Sequence, residues 1–375
     1  MKAKFFSRIF FTFLMVLMLS SGVQAQATLK DAFTKYFLVG ASLNQAQFSE
    51  ADSRGSNIVK QQFNTVSPEN ILKWESVHPE INRYDFTGPD RYVEFGRANN
   101  MFIVGHTLVW HNQTPKWVFE DGKGNPVTRA VLLTRLRDHI HTVVGRYKGK
   151  INGWDVVNEA LNEDGTMRQT PWQKIIGDDY IAMAFQFAHE ADPKAELYYN
   201  DYSLEKEAKR KGAIELIKKL LAQKLPVHSV GLQAHSKMDW PSLKEQDDTI
   251  AQIAALGVKI AITELDVDVL PRASEYRGAD ITQNFELQAK LNPFVKGLPE
   301  QNQQALARRY ADLFTVFLKH HGSIDRVTFW CVTDRDSWLN DWPVRGRTNH
   351  PLLWDRDGKT KPAFRSVLST AREFK

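Results

Sequence analysis

Two glutamates close two separate apolar runs of this chain, and each could do acid–base or nucleophilic chemistry. Glu159 follows the run 151–157, which reads INGWDVV, and Glu264 follows the run 258–262, which reads VKIAI. Such runs are typical of strands buried on both faces, whose last side chains reach solvent where α/β proteins carry out their chemistry. Glu159 alone is as consistent with a local cap or salt bridge as with catalysis, so the pair carries the hypothesis.

Two carboxyl groups that face each other across one mouth are what glycoside hydrolysis requires. One protonates the leaving oxygen, and the other attacks the anomeric carbon or activates a water molecule. Their separation decides the stereochemical outcome, at about 5 to 5.5 Å for retention and about 6.5 to 9.5 Å for inversion. The sequence leaves this separation open.

The neighbours of the two glutamates predict different roles for them. Asp266 and His235 can form a chain with Glu264, in which the imidazole donates to the carboxylate and keeps it ionised, as a nucleophile needs. Glu159 has only the neutral Asn158 beside it in sequence. Its pKa could therefore be pushed upward into the range of a general acid.

The other predicted strand ends carry mainly amide, imidazole, carboxylate or indole groups, which suit the hydroxyls and apolar faces of a sugar. Tryptophans offer flat faces for the C–H groups of a sugar and N–H groups for its hydroxyls. Any one tryptophan could equally be a core residue, but three at strand ends favour a binding site. The residues are Glu69, Asn70 and Lys73; His106, Trp110, His111 and Gln113; Asn158; Asn200, Asp201 and Tyr202; Gln233 and His235; and Trp330 with Trp338.

Eight apolar runs predict the strands that would position these residues. The runs are 37–40, 63–66, 102–105, 151–157, 197–199, 230–232, 258–262 and 327–330. Helical stripes lie between them, beginning at Thr128 and covering 178–191, 205–223 and 299–320, and Ser242 with Glu245 forms a capping box. Eight strands alternating with helices predict an α/β fold, a single (β/α)8 TIM barrel. The rival open sheet would carry a Gly-rich phosphate loop after its first strand, and none is present.

The chain divides into a short leader and one domain. Three basic residues precede the apolar stretch 9–19 and the small residues of 23–25, which indicates a secretory signal peptide over 1–25. We therefore expect a secreted or periplasmic barrel over 26–375. The polar range 271–299 predicts a long loop after the seventh strand, on the active face of the barrel.

Composition narrows the function classes. The 375 residues are 42% hydrophobic and 25% charged, as in an ordinary globular protein. Removing Lys2, Lys4 and Arg8 from a formal charge of +5 leaves about +2, which gives no basis for nucleic-acid binding. Cys331 is the only cysteine, so no intrachain disulfide can form. Outside the leader no apolar run is long enough to span a membrane.

Two other functions could use the same residues. A metal centre could draw on several of them, although the only close histidine pair among these candidates, His106 and His111, does not follow the HxH pattern of metal-dependent barrel hydrolases. A sugar-binding protein without catalysis would need no paired carboxylates. The candidate metal ligands are His106, His111, His235, Asp266 and Glu159.

Seven stretches of the chain also resemble one known family. They read SPENILKWE, GHTLVWHNQTPKWVF, WDVVNEALNEDG, LYYNDYSLE, GLQAH, ITELDV and VTFW…TDRDSWL…PLLWD…KPAF, and the resemblance extends from about Leu38 to Phe364. Their number, order and coverage are similar to those of the glycoside hydrolase family 10 endo-β-1,4-xylanases. One departure is Cys331, where the family more often has glycine.

The resemblance implies a fold, an activity and a set of site residues. It implies a (β/α)8 barrel, retaining hydrolysis of internal β-1,4 bonds, Glu159 as acid/base and Glu264 as nucleophile. Xylan and xylo-oligosaccharides would be the substrates of a monomer that needs no metal or organic cofactor. Another barrel β-1,4-glycanase, a cellulase or a mannanase, is the alternative. The residues implied around the glycone sugar are Glu69, Asn70, Lys73, His106, Trp110, Asn158, His235 and Trp330, with Gln113, Gln233 and Trp338 close by and Tyr202 on the aglycone side.

Overall fold

Eight parallel strands form a closed barrel in the computed structural model, which describes residues 27–273 and 279–374. Neighbouring strands pair in chain order, and the first strand pairs with the last to complete the ring. The predicted (β/α)8 barrel is therefore confirmed. The eight strands of the ring, which the β1–β9 and β6–β8 pairs close, are β1 Leu38–Leu43, β2 Thr65–Pro68, β3 Phe102–Val109, β4 Gly153–Asn158, β5 Glu196–Asp201, β6 Ser229–Leu232, β8 Lys259–Asp268 and β9 Ile324–Phe329. Among the described residues a ninth, short strand, β7 His235–Lys237, pairs only with β8.

Helices surround the barrel and begin where the sequence signals predict them. The Thr128 side chain accepts a hydrogen bond from the Val131 N–H, and Ser242 with Glu245 forms the expected capping box. Both predicted helix starts are confirmed. The helices of the described residues are α1 Leu29–Ala32, α2 Gln45–Phe48, α3 Ser53–Gln62, α4 Trp74–Val77, α5 Thr87–Ala98, α6 Arg129–Arg146, α7 Pro171–Ile176, α8 Tyr180–Ala191, α9 Glu207–Ala222, α10 Leu243–Ala254, α11 Glu300–Lys319 and α12 Pro362–Glu373.

The end of β8 differs from the prediction. The apolar run was predicted to stop at residue 262 and the strand to end over residues 262–266, but β8 continues to Asp268, so Glu264 and Asp266 lie within the strand. The reason is a short extra strand, β7, whose His235 pairs with Asp266 and whose Lys237 pairs with Asp268. This added pairing extends the strand past the rim of the barrel and carries alternate polar side chains with it.

Four non-glycine residues within two positions after the end of a strand have left-handed backbone. Ser203 follows β5 with a φ of +53°, and the other three follow β4, β6 and β9. Their φ angles are +57° at Glu159, +59° at Ala234 and +80° at Cys331. A non-glycine residue in this region costs about 1 to 3 kcal/mol, and such strain collects at functional sites. All four positions lie beside residues that the sequence assigns to the site.

A long connection follows β8, as predicted for the polar range 271–299. In its described part, the regular structure is a single 3-10 turn at Ala289–Leu291. The predicted signal peptide over 1–25 lies outside the described residues. Within 27–273 and 279–374, no helix combines the length and the apolar character needed to cross a membrane.

Candidate active site

A cavity at the carboxyl ends of the strands gathers most of the predicted site residues. Ala279 and Ile281, from the connection after β8, line it as well and were not predicted. Two predicted site residues, Asp266 and Tyr202, do not line the cavity. The predicted residues that line the cavity are Glu69, Asn70, Lys73, His106, Trp110, Gln113, Asn158, Glu159, Gln233, His235, Glu264, Trp330 and Trp338.

Glu264 is buried and surrounded by hydrogen-bond donors. The Asn200 amide donates to Oε1 at 2.8 Å, and His235 Nε2 lies 3.2 Å from Oε2. The other imidazole nitrogen, Nδ1, lies 3.1 Å from Asp266 Oδ1. Burial favours the neutral carboxyl, but the histidine charges and the amide outweigh it and lower the pKa of Glu264. Glu264 is therefore held as a carboxylate.

His235 is the positively charged member of the series formed by Asp266, His235 and Glu264. Burial alone would lower its pKa, but the carboxylates of Asp266 and Glu264 outweigh burial and raise the pKa to about 10. The predicted chain of Asp266, His235 and Glu264 is present. It places a positive charge beside Glu264 throughout the neutral pH range.

Glu159, at the end of β4, has a different environment. It accepts hydrogen bonds from Trp110 Nε1 at 2.9 Å, from Gln233 Nε2 at 3.0 Å and from Asn158 Nδ2 at 3.2 Å. Burial raises its pKa, the bonds from Gln233 and Trp110 oppose this, and the negative charge of Glu264 raises the pKa further. The balance leaves the pKa of Glu159 above its usual value, as an acid requires.

A network of amides joins the two carboxyl groups. Asn158 Oδ1 accepts hydrogen bonds from Asn200 Nδ2 at 2.9 Å and from Gln233 Nε2 at 3.2 Å. Thr263 Oγ1 donates to Asn200 Oδ1 at 2.7 Å and so fixes the orientation of that amide. Glycine at position 231 makes this possible, because a Cβ there would lie 2.2 Å from Asn200 Oδ1. Asn200 is a site residue whose strand-end position was noted from the sequence but whose role was missed.

The wall that follows β2 and β3 carries a buried cation. Lys73 Nζ donates to Asn70 Oδ1 at 3.0 Å and to Gln113 Oε1 at 2.8 Å, and it lies 4.7 Å from the centre of the Trp110 ring. Burial lowers the pKa of Lys73 to about 8, although nearby carboxylates oppose this. Burial raises the pKa of Glu69 to about 7. Polar groups of both charge signs are therefore available to sugar hydroxyls.

Cys331 contacts this wall from below. Its side chain is buried, and its backbone N–H donates to Ser42 Oγ at 2.7 Å. The thiol lowers the pKa of the Glu69 carboxyl group, and that carboxyl group raises the pKa of Cys331, although burial is the larger effect on each. The residue that departs from the resembled family thus acts on a predicted glycone contact.

Two of the three predicted indoles use their N–H groups within the protein. Trp110 Nε1 donates to Glu159, and Trp338 Nε1 donates to Asp266 Oδ2 at 2.7 Å. The expectation that these N–H groups serve sugar hydroxyls is therefore wrong for both residues. Trp338 stacks on Trp342 with ring centres 4.3 Å apart, so its ring is supported from one side. What these indoles can offer a sugar is their ring faces.

The histidines proposed for a metal centre have other partners. His106 Nδ1 pairs with Asp155 Oδ2 at 2.9 Å, and His235 lies between Glu264 and Asp266. His111 Nε2 lies 3.2 Å from the Asn112 amide. Across the described ranges 27–273 and 279–374, no group of three or more His, Cys, Asp or Glu side chains has the arrangement of a metal site.

Tyr202 lies behind the turn that follows Glu159. Its hydroxyl accepts a hydrogen bond from Arg168 Nη2 at 2.8 Å, and its ring packs with Ala279, Leu339 and Trp342. Lys209 Nζ lies 3.5 Å from the centre of the same ring. The predicted aglycone role of Tyr202 stays a prediction.

The geometry brings together two carboxyl groups with opposite protonation preferences. A cation keeps Glu264 ionised, whereas burial and the charge of Glu264 raise the pKa of Glu159. Two carboxyl groups with pKa values shifted in opposite directions in one cavity are the arrangement that cleaves glycosidic bonds.

Comparisons with known proteins agree with this chemistry. The family model described as glycosyl hydrolase family 10 matches residues 28–370. Endo-1,4-beta-xylanase A of Xylanibacter ruminicola is 46% identical over 355 residues, which cover 95% of this chain and 96% of that protein.

Solved structures give the same result. A GH10 endoxylanase retrieved from a sugarcane soil metagenome superposes with a TM-score of 0.89 and 43% identity, covering 91% of this chain and 99% of that one. TsXylA, an intracellular xylanase of Thermoanaerobacterium saccharolyticum solved as a mutant complex with xylotetraose, superposes with a TM-score of 0.80 and 34% identity, covering 92% and 98%.

Proposed function

This chain belongs to glycosyl hydrolase family 10 and is an endo-1,4-β-xylanase, and we propose that it works by retaining double displacement. Glu264 is the nucleophile, and Glu159 is the general acid and then the general base. The observation that carries this assignment is the opposite pKa directions of the two carboxyl groups in one cavity.

In the first step Glu264 attacks the anomeric carbon while Glu159 gives its proton to the departing glycosidic oxygen. The bond to the leaving sugar breaks, and an ester bond between Glu264 and the glycone sugar forms. The His235 cation keeps Glu264 ionised before the attack, and the Asn200 amide fixes the orientation of the carboxylate.

In the second step Glu159, now ionised, takes a proton from water as the water attacks the anomeric carbon. The ester bond breaks, Glu264 leaves as a carboxylate, and Glu159 is protonated again. Two inversions at the same carbon restore the original β configuration.

Xylan and xylo-oligosaccharides are the proposed substrates. Support comes from the relatives, which are named xylanases, and from the xylotetraose complex of TsXylA. The wall of Glu69, Asn70 and Lys73 is proposed to bind the glycone sugar, together with His106, His235 and the ring faces of Trp110 and Trp330. Exclusion of the extra hydroxymethyl group of glucose by the packed indoles would favour xylose, although discrimination of this kind is modest.

The enzyme is further proposed to act as a monomer outside the cytoplasm. Lys2, Lys4, Arg8 and the apolar stretch 9–19 support a cleaved leader over 1–25. N-terminal sequencing of protein recovered from the periplasm and medium would locate the cleavage, and light scattering would give the oligomeric state. The intact N-terminus in the cytoplasm would contradict the leader.

The first experiment compares products from xylan, carboxymethyl-cellulose and mannan side by side. We expect xylo-oligosaccharides from xylan and little release from the other two, whereas preferred cleavage of either would establish the alternative β-glycanase. Proton NMR of the first products should show the β anomer. Early accumulation of the α anomer would overturn the retaining mechanism.

Substitution of each glutamate tests its role separately. Glu264→Ala should abolish turnover of every substrate, because no covalent intermediate can form. Glu159→Ala should lower kcat/KM on xylan by about 100-fold or more, in keeping with the contribution of general acids. It should spare kcat/KM on 2,4-dinitrophenyl β-xylobioside, whose leaving group needs no proton. Parallel losses on both substrates would show that Glu159 is not primarily the acid.

A further inference from the structure

Arg168 connects three separate parts of the chain beside the catalytic cavity. Its Nε donates to the backbone carbonyl of Glu159 at 3.2 Å, and its Nη2 donates to the carbonyl of Leu161 at 3.2 Å and to the hydroxyl of Tyr202 at 2.8 Å. Its Nη1 lies 3.9 Å from Asp280 Oδ2. Only 16% of the arginine side chain is exposed, so the guanidinium is held among these partners.

The segment Ala279–Ile281 forms one wall of the cavity. Ala279 packs on Tyr202 and Trp342, and Trp342 Nε1 donates to the carbonyl of Asp280 at 3.1 Å. Ile281 lines the cavity while remaining 36% exposed, so its side chain presents an apolar surface to whatever enters. Burial alone would raise the pKa of Asp280, but hydrogen bonds from Thr282 and the charge of Arg168 lower it, so the carboxylate stays ionised opposite the guanidinium.

We propose that Arg168 is a positioning residue that holds Ala279–Ile281 as a wall against the leaving-group sugar, and that Ile281 contacts that sugar. This inference rests on the proposed function, since Glu159 as the acid defines which side the leaving oxygen occupies. Arg168 is hydrogen-bonded to the turn of Glu159 itself and to Tyr202, which directly follows the next strand, β5, and this places the wall on that side. The planar guanidinium suits this task because several donors point in fixed directions at once.

Two substrates separate this role from catalysis. Xylohexaose places sugars on the leaving-group side, whereas 2,4-dinitrophenyl β-xylobioside places only an activated aromatic ring there. For each variant the measured quantity is the ratio of kcat/KM on xylohexaose to kcat/KM on the aryl substrate. Impaired proton donation by Glu159 would also lower this ratio, but through kcat, because only xylohexaose needs its leaving oxygen protonated. Loss of the wall lowers the ratio through KM for xylohexaose. A fall in the ratio through kcat alone would therefore overturn the positioning role of Arg168 at the wall.

Four variants give a graded expectation. Arg168→Met should lower the ratio about tenfold, mainly through a higher KM for xylohexaose, and Arg168→Lys should recover part of the loss by keeping the charge opposite Asp280. Ile281→Ala should lower the ratio about threefold. The matched control is Asp90→Asn, which breaks the Arg146–Asp90 pair, another arginine–aspartate contact between distant segments that lies outside the cavity lining. It should leave the ratio unchanged.

The outcomes separate this inference from the proposed function. An unchanged ratio in Arg168→Met, or equal losses on both substrates with wild-type thermal stability, would overturn the positioning role alone. An unchanged ratio in Ile281→Ala would overturn the contact with the leaving-group sugar. A wild-type enzyme that releases dinitrophenol but leaves xylohexaose intact would instead overturn the proposed substrate class.

Discussion

Replacing His235 by asparagine would remove the positive charge beside the proposed nucleophile while keeping a side chain that donates hydrogen bonds. His235 Nε2 lies 3.2 Å from Glu264 Oε2. Two unit charges at that distance in an effective dielectric of about 20 interact by about 5 kcal/mol. Since one pKa unit corresponds to about 1.4 kcal/mol, the upper bound on the rise in the pKa of Glu264 is about 4 units. Entry of water would reduce it, so we expect a rise of about 2 units.

The assay is the pH dependence of kcat/KM on 2,4-dinitrophenyl β-xylobioside. This substrate needs no protonation of its leaving group, so the acidic limb reports the ionisation of Glu264 in the free enzyme. Activity requires the carboxylate and is lost as pH falls through its pKa. The wild-type pKa lies below the usual value of 4.5, so a limb about 2 units higher should cost at most about 25-fold at pH ~5 and almost nothing at pH ~7.5.

The control is a double variant that removes the charges of both His235 and Asp266. His235→Asn leaves Asp266 buried without its cation, and that negative charge also raises the pKa of Glu264. The double variant His235→Asn/Asp266→Asn removes both charges, so its acidic limb should move part of the way back. An acidic limb in His235→Asn that stays at the wild-type position, or a loss of activity equal at all pH values, would refute the electrostatic role and leave only an orienting one.

Three further predictions concern stability and metal. Burial lowers the pKa of His139 well below 6.5, so below pH ~6.5 the unfolded chain binds a proton that the folded chain does not. The free energy of unfolding is therefore at its full value above pH ~6.5. Below that pH it falls by up to ~1.4 kcal/mol per pH unit. His139→Phe should weaken that dependence in urea denaturation between pH ~7 and ~5, and an unchanged slope would contradict it. Cys331→Gly should be about 1 kcal/mol more stable than Cys331→Ala, because only glycine relieves the φ of +80°, and equal unfolding midpoints would count against strain. EDTA should leave xylan hydrolysis unchanged, and a loss restored by zinc would revive the metal-centre hypothesis.

The sequence predicted the barrel and most of the cavity because both follow from local patterns. An apolar run that ends in a polar residue marks a strand and its catalytic end at once, so the residues from Glu69 to Trp338 could be assigned to one mouth without knowing any distance. The helix starts at Thr128 and Ser242 could also be predicted from the local sequence, because a capping side chain and its hydrogen-bond partner lie three residues apart.

What the sequence could not predict depends on partners far apart in the chain. The indole of Trp338 meets Asp266, 72 residues away, and that choice of partner leaves no trace in the local pattern. The same holds for Arg168 and Asp280, and for the amide of Asn200 that bridges to Glu264. The extension of β8 was missed because the short strand β7 that supports it is polar and only three residues long.

The backbone at Glu159 explains how two adjacent residues serve one cavity. In an extended strand, successive side chains point to opposite faces, yet Asn158 and Glu159 both line the cavity. The φ of +57° at Glu159 breaks the alternation directly after β4. The turn is held on both sides, since the Glu159 N–H donates to the carbonyl of Asn200 at 2.9 Å and its carbonyl accepts from Arg168. The strain of this conformation, about 1 to 3 kcal/mol, is therefore borne by contacts that also orient the acid, and Arg168 links that orientation to the wall of the leaving-group side.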